Sequence, residues 1–197
     1  LYPDIHYQLG KAPFNATDQV IAATKKAVSS ASIDASRIGL IGHSFGGYQT
    51  NFIISQTNLF TCAVSGSSVV DNVSSYLSYS DRSKVPRYFM YEYHQQRIPF
   101  NLFDNWENYL YNSPIYYAKK IETPLLTWSG DNDTIVPHTQ TMMLYFALRR
   151  LNKKNTMILY PNEGHFMSNP KNQKDLSVKI KNWFDYYLKD KPLMPEL

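Results

Sequence analysis

A serine flanked by glycines is the feature that most constrains the fold of this chain. The string Gly42-His43-Ser44-Phe45-Gly46 fits the pattern G-x-S-x-G, and Gly47 follows it. It lies between a short apolar run, 37–42, and a stretch with helical composition, 45–57. In that setting the serine occupies a sharp strand-to-helix turn that holds its hydroxyl clear of the backbone. Because the turn brings strand and helix together, we expect Gly42 and Gly46 to be required for their small size, with Gly47 adding room.

The rest of the chain alternates short apolar runs with helical patterns. Strands are predicted at 37–42, 61–65, 124–129 and 156–160, the first with the composition of a strand buried on both faces. Helices are predicted at 15–31, 45–57, 138–152 and over the C-terminal stretch from Leu176 to Leu188. Asn15 or Thr17 is expected to cap the first helix. This alternation predicts an α/β fold, a parallel sheet with helices on both faces.

The segment 69–117 interrupts the alternation and is rich in Tyr, Phe and Trp. We interpret it as a largely helical insertion between the second and third strands. Its aromatic side chains fit two interpretations, the core of a small subdomain, or a lid or pocket wall, since binding pockets are lined mainly by apolar and aromatic side chains.

Ser44 needs a general base, and the base needs an orienting acid. On the α/β-hydrolase fold these follow in the order Ser, Asp, His. His165 comes just after the fourth predicted strand, and Asp131 and Asp133 come just after the third, so all lie where the carboxyl ends of parallel strands meet a crevice. His43 is expected to pack locally within the turn. Spacing alone does not decide between Asp131 and Asp133.

Composition excludes several other classes of protein. The net charge is only +4, with 20 basic and 16 acidic residues, which does not favour a nucleic-acid partner. No stretch approaches the roughly 18 consecutive apolar residues of a membrane-spanning helix. The single cysteine, Cys62, allows no intrachain disulfide. Motifs for zinc, calcium or phosphate binding are absent from the sequence, so neither a metal nor a cofactor is expected.

Four motifs together resemble the catalytic domain of the prolyl oligopeptidase family of serine peptidases, over about Asp4 to Leu188. They are Gly-His-Ser-Phe-Gly-Gly-Tyr at 42–48, Asn-Ser-Pro-Ile at 112–115, Gly-Asp-Asn-Asp-Thr-Ile-Val-Pro at 130–137 and Glu-Gly-His-Phe at 163–166. The resemblance implies a peptide substrate, Ser44 as nucleophile, His165 as general base and Asp133 as the orienting acid. It also implies a structural turn role for Asp131, an oxyanion-hole N–H at Phe45, and Val136 in the pocket for the residue before the scissile bond.

The sequence also departs from that family, whose members carry a β-propeller ahead of an eight-stranded hydrolase domain. We expect a single, partial α/β-hydrolase domain over 1–197 that lacks the first four strands and, with them, one oxyanion-hole donor. The strand at 37–42 should then be an edge that could support a homodimer. Two alternatives to a peptidase follow, an esterase or other acyl hydrolase on the same triad, or a catalytically impaired fragment of the peptidase domain.

Overall fold

The computed structural model describes residues 6–80 and 82–192. The start of the family resemblance at Asp4 and both ends of the expected 1–197 domain lie outside these residues. The helices are α1 (Ala12–Ser30), α2 (Phe45–Gln56), α3 (Asn72–Tyr76), α4 (Tyr88–Glu92), α5 (Trp106–Tyr111), α6 (His138–Arg150) and α7 (Pro170–Lys189), with a 3₁₀ helix at Pro114–Lys120. The strands are β1 (Gly39–His43), β2 (Cys62–Gly66), β3 (Tyr79–Ser80), β4 (Val85–Pro86), β5 (Leu125–Gly130) and β6 (Asn155–Tyr160).

Four of these strands form a parallel sheet in the order β1-β2-β5-β6. Gly42 lies opposite Ser65 of β2, and Leu126 of β5 lies between Val64 and Thr156 of its two neighbours. The predicted α/β fold is therefore confirmed, and each predicted strand is present to within two residues. Within the described residues β1 pairs on one side only, which confirms its predicted position at an edge.

Helices cover both faces of the sheet because apolar side chains alternate along the central strands. On one face Ala63 and Leu125 pack against Ile54 of α2 and Leu144 of α6. On the other face the core is made by side chains of β2, β5 and α7: Cys62, Val64, Leu126, Trp128, Leu176 and Trp183. These two apolar layers hold the carboxyl ends of the strands in one fixed row. Across the two described ranges, no helix has the length and apolar composition needed to cross a membrane.

Burial of β1 on both faces, which its composition predicted, is wrong for this structure. Ile41 has 55% of its surface exposed. The reason is that α7 covers only the beginning of β1. A Cβ on Gly39 would lie 2.4 Å from the ring of Phe184, which belongs to α7. Farther along the strand, Ile41 on the same face lies uncovered by the described residues.

Helix α1 begins three residues earlier than predicted, and neither expected cap forms. Pro13 occupies the first turn, where its fixed φ and missing N–H are favourable, so the helix starts at Ala12 without a side-chain cap. Asn15 Oδ1 instead accepts from the Gln8 N–H at 2.7 Å, and Thr17 donates to the Pro13 carbonyl at 2.8 Å.

The insertion at 69–117 is less helical than predicted. Its helices are five or six residues long, and Pro86 and Pro99, which lack a backbone N–H, fall between them. A small core still holds it together, made of the buried side chains Tyr76, Tyr91, Ile98, Leu102 and Tyr109. The edge-to-face contact of Tyr76 with Tyr109, with ring centroids 5.1 Å apart, is typical of packed aromatic pairs. The subdomain-core interpretation is therefore correct for these residues.

Candidate active site

Ser44 sits on a strained turn between β1 and α2. Its φ is 58° and its ψ is −120°, a conformation that residues with a side chain rarely adopt. Two backbone hydrogen bonds maintain it: the Ser44 N–H donates to Gly66 O at 2.8 Å, and Ser44 O accepts from the Tyr48 N–H at 2.9 Å. A Cβ on Gly42 would lie 2.1 Å from Gly46 O, so the turn can close only because residue 42 has no side chain.

Of the other two glycines of the turn, Gly46 differs from expectation, whereas Gly47 provides room as expected. A Cβ on Gly46 would have no atom within 4 Å, so the predicted need for a small residue there is wrong within the described structure. Residue 47 is the crowded position, since its Cβ would lie 2.8 Å from Gly66 O and 2.9 Å from Ser68 Cβ. The backbone of Gly46, rather than a missing side chain, makes the close contact with Gly42, and Gly47 lets α2 approach the end of β2.

Three of the predicted site residues form one chain of hydrogen bonds. His165 Nε2 lies 2.8 Å from Ser44 Oγ, and His165 Nδ1 lies 2.8 Å from Asp133 Oδ2. The Asp133 side chain is fully buried and the His165 side chain is 5% exposed. With Nδ1 donating to the carboxylate, Nε2 is left to accept the serine proton, which is the geometry that general-base catalysis requires.

The two aspartates left open by spacing have different partners. Asp133 Oδ1 accepts from the N–H groups of Ile135 and Val136, both at 2.8 Å, which leaves Oδ2 for His165. Asp131 is exposed, and its Oδ1 accepts from the Asn162 N–H at 2.7 Å. Asp131 thus fixes the loop after β6 to the loop after β5, whereas Asp133 is the carboxylate beside the imidazole.

Glu163, which the motif search did not single out for a role, anchors the loop that carries His165. Its buried carboxylate accepts from Ser168 N and Oγ, from Asn169 N and from Asn172 Nδ2, at 2.7 to 3.1 Å. These hydrogen bonds, that of Ser168 N above all, lower the pKa of Glu163 to about 2. The loop also lies against the end of β5, because a Cβ on Gly130 would lie 2.1 Å from Glu163 O.

The expectation that His43 packs within the turn is wrong, because its side chain contacts Trp128 and the His165 loop instead. Its Nε2 lies 2.9 Å from the carbonyl oxygen of His165, so that nitrogen carries the proton and donates. Its ring stacks on Trp128 with centroids 5.2 Å apart. Burial lowers the pKa of His43 below its usual value of 6.5.

Ser44 opens onto a cleft between the sheet and the insertion. The predicted pocket residue Val136 lies in its wall. The other lining residues are Phe45, Tyr48, Val69 and Ile135 on the sheet side, and Arg87, Met90, Tyr91, Gln95 and Gln96 on the insertion side. The insertion therefore supplies one wall of the cleft as well as its own core, so the pocket-wall interpretation is correct for these residues.

The Asn-Ser-Pro-Ile motif holds the wall of that cleft in place. Tyr48, 1% exposed, donates from its hydroxyl to Asn112 O at 2.7 Å, and Asn72 Nδ2 donates to the same oxygen at 2.8 Å. Ser113 Oγ accepts from Asn72 N at 2.9 Å. The motif is far from Ser44 in sequence, so its link to Tyr48 had no local signal.

Phe45 is the first residue of α2, so its N–H has no acceptor within the helix and lies next to Ser44. That position suits the predicted oxyanion-hole role. The described part of the chain holds no group of three or more His, Cys, Asp or Glu side chains placed to bind a metal ion.

Comparison with known proteins assigns the family. A model of the prolyl oligopeptidase family matches residues 2–191. The chain belongs to the prolyl oligopeptidase family. This member is 32% identical over 175 residues to the uncharacterized peptidase YuxL of Bacillus subtilis (strain 168), covering 87% of the chain and 25% of that protein. It is 29% identical over 171 residues to the acylamino-acid-releasing enzyme of Rattus norvegicus, covering 84% of the chain and 22% of the relative.

A solved structure of a peptidase has the same fold as this chain. The acylaminoacyl peptidase of Pyrococcus horikoshii superimposes with a TM-score of 0.79 at 26% identity, over 93% of this chain and 29% of the other. The fold is that of the C-terminal part of an α/β-hydrolase peptidase domain. The prolyl oligopeptidase family member described here spans about a quarter of the length of the curated relatives it matches.

Proposed function

We propose that this protein is a serine peptidase that hydrolyses peptide bonds through an acyl-enzyme formed on Ser44. The observation that carries the proposal is the hydrogen-bond chain Ser44–His165–Asp133, with Asp133 itself fixed by two backbone N–H groups. This geometry supports the three proposed roles, and the two backbone hydrogen bonds to Oδ1 favour the orientation in which Oδ2 faces the imidazole.

In the first step Ser44 Oγ attacks the carbonyl carbon of the scissile bond while His165 Nε2 takes the hydroxyl proton. The carbonyl π electrons move to the oxygen, and the negative charge of Asp133 stabilises the imidazolium. The Phe45 N–H donates to the oxyanion, and a second donor is expected from outside the described residues. His165 then transfers its proton to the amine nitrogen, the C–N bond breaks, and the amine leaves.

In the second step water hydrolyses the acyl-enzyme. His165 Nε2 takes a proton from water as its oxygen attacks the ester carbonyl, and the imidazolium returns that proton to Ser44 Oγ when the C–O bond breaks. The carboxylic acid is released and the starting state is restored. Every proton in these two steps moves through His165 Nε2, so the proposed mechanism requires no metal or cofactor.

We infer that the residue before the scissile bond is apolar. Tyr48, Val69 and Val136 are all buried and line the cleft next to Ser44, which suits an apolar side chain. The relatives named acylamino-acid-releasing enzyme and acylaminoacyl peptidase favour a substrate whose amino group carries an acyl cap.

The test combines a covalent probe with matched substrates. A fluorophosphonate should label the protein once, at Ser44, and Ser44→Ala should abolish labelling. Acetyl-Phe-4-nitroanilide and acetyl-Phe 4-nitrophenyl ester present the same acyl group with an amide or an ester bond. Turnover of both supports a peptidase, and turnover of the ester alone supports an esterase. No labelling of Ser44 would mean an impaired catalytic unit and would refute the proposal.

A further inference from the structure

The insertion side of the cleft carries a buried cation that has no counter-ion among the described residues. Arg87 has only 7% of its surface exposed. None of the ion pairs between described residues includes Arg87, and its Nε has no hydrogen-bond partner among those residues. Buried charges are normally paired, because an unpaired charge in a poorly solvated site is costly. Arg87 lines the same cleft as Ser44, and packing does not explain a guanidinium there that has no ion-pair partner among the described residues.

One guanidinium nitrogen of Arg87 donates a hydrogen bond, and this bond determines where the other two nitrogens lie. Nη1 donates to the carbonyl oxygen of Ile135, in the loop that also supplies Asp133 and Val136. That bond holds the guanidinium at the border of two cavities. Arg87 lines both the Ser44 cleft and an adjoining cavity formed with Ser80, Arg82, Ser83, Met90 and Ile135.

Among the described residues that line the two cavities, every charged side chain is a cation. The described residues that line the two cavities include two cations, Arg87 and Arg82, and no aspartate or glutamate. Gln96, 5% exposed, adds an amide whose Oε1 has no partner in the described structure, and an amide can turn to offer its NH₂ group. The border is therefore rich in hydrogen-bond donors and electrostatically suited to an anion.

We propose that Arg87 is a specificity-determining residue that binds a carboxylate on the acyl side of the substrate. The inference rests on the proposed function, since it takes Ser44 as the point of attack and the pocket of Tyr48, Val69 and Val136 as the site of the residue before the bond. With that residue in its pocket, the carboxylate belongs to the next group along the substrate. It comes either from an acidic side chain at that position or from a dicarboxylic acyl cap. A planar guanidinium matches a carboxylate better than an ammonium group does.

The experiment compares charged substrates with their neutral isosteres. Acetyl-Glu-Phe-4-nitroanilide is paired with its Gln analogue, and succinyl-Phe-4-nitroanilide with its monoamide. We expect the acid of at least one pair to have a kcat/KM about tenfold to hundredfold above that of its amide, the range for a hydrogen bond to a charged group. The pair that shows the preference identifies the source of the carboxylate. Equal kcat/KM values within both pairs would overturn the proposal.

Variants assign the preference to Arg87. Arg87→Met should bring the ratio of kcat/KM for the acid to kcat/KM for the amide close to one. Arg87→Lys keeps the positive charge and should give an intermediate ratio. The Lys variant also serves as a test that remains if the Met variant does not fold. Arg150→Met removes the same charge from the exposed end of α6 and should keep the wild-type ratio. If Arg87→Met lowers turnover of acids and amides equally, Arg87 only supports the Ile135 loop and the proposal is wrong.

A binding measurement separates this proposal from the proposed function. Dissociation constants of the four compounds for Ser44→Ala, measured by calorimetry, do not depend on catalysis. If Ser44→Ala binds the acid more tightly than the amide while the wild-type protein is not labelled by a fluorophosphonate, the carboxylate site is upheld and the peptidase function is refuted. If Ser44 is labelled and the acids and amides bind equally, the peptidase function is supported and the carboxylate site is refuted.

Discussion

His43 Nε2 donates to the main-chain carbonyl of His165 across 2.9 Å, so the residue before the serine holds the loop of its imidazole partner. The same ring stacks on Trp128, which fixes its plane. The strained turn and the His165 loop, 121 residues apart in sequence, are therefore joined twice, through Ser44 Oγ and through His43. We therefore expect His43 to act as a positioning residue for His165.

Replacing His43 by Phe keeps an aromatic ring on Trp128 and removes the donor. We expect kcat to fall about threefold to tenfold, the value of one neutral hydrogen bond, with little change in KM because His43 does not line the Ser44 cleft. Steady-state kinetics on a 4-nitroanilide measures both constants. His43→Gln restores an N–H at a similar reach and should recover most of kcat; equal losses in the two variants would contradict the positioning role.

Asp133→Asn should lower kcat by about 10⁴-fold while leaving the fold intact, because the imidazole loses its charge partner and its correct tautomer. Asp131→Asn is the matched control two residues away. It weakens one hydrogen bond to the backbone of Asn162, so its effect on kcat should stay below about tenfold. A loss of less than about tenfold for Asp133→Asn would remove Asp133 from the proposed triad.

Glu163→Gln tests the anchor of the His165 loop through acid stability. The pKa of Glu163 falls from its usual 4.5 to about 2 on folding, so its ionised form stabilises the native state above pH 4.5. That contribution disappears as the pH drops from about 4.5 to about 2. We expect the variant to be less stable than wild type at pH 7 and to lose less stability across that window. Urea unfolding at a series of pH values measures it; parallel stability curves would contradict the assignment.

Gly46→Ala and Gly47→Ala should have opposite effects on the free energy of unfolding. Both positions are helical, where alanine gains about 0.5–1 kcal/mol over glycine. At residue 46 the new Cβ meets nothing within 4 Å, so the gain should be realised. At residue 47 it meets Gly66 O at 2.8 Å, and overpacking should cost about 1–3 kcal/mol. Equal stabilities of the two variants in urea would show that α2 can move away from β2.

The open edge at β1 predicts self-association of the 197-residue chain. β1 has one described partner strand, and Ile41 on it is 55% exposed. Light scattering at high micromolar concentration should report a dimer or larger species, and Ile41→Lys should shift it toward monomer, since a charge on an edge strand opposes pairing. Phe146→Lys on α6, where the wild-type ring is 57% exposed, is the control and should change nothing. A monomeric wild-type chain would refute this prediction.

The sheet and its helices could be predicted from the sequence because their signals are local. Each strand is a short apolar run, and the spacing from Leu176 to Leu188 matches one face of α7. Ser44, Asp133 and His165 could be proposed because each follows a strand, and parallel strands end on one side. The choice of Asp133 over Asp131 needed the family resemblance. The contacts that orient Asp133 come from the backbone N–H groups of Ile135 and Val136, which no side-chain pattern in the sequence reveals.

The parts that the sequence did not reveal depend on segments far apart in the chain. Arg87 and Ile135 are 48 residues apart, and Tyr48 and Asn112 are 64 apart, so no periodicity links either pair. The predicted start of α1 is wrong because Pro13 favours a first turn that begins before Asn15 and Thr17, the expected caps. The prediction for Gly46 is wrong because the motif indicates a crowded turn but does not indicate which residue faces the crowded side.

The aromatic core of the insertion has an evolutionary consequence. Tyr76, Tyr91 and Tyr109 pack on one another, and the side chain of Arg87 links the insertion to the loop after β5. Mutations in its cleft wall can therefore accumulate without disturbing the geometry around Ser44. Substrate preference and chemical competence can diverge independently, and a library randomised at Met90, Gln95 and Gln96 would be a natural starting point for redirecting selectivity.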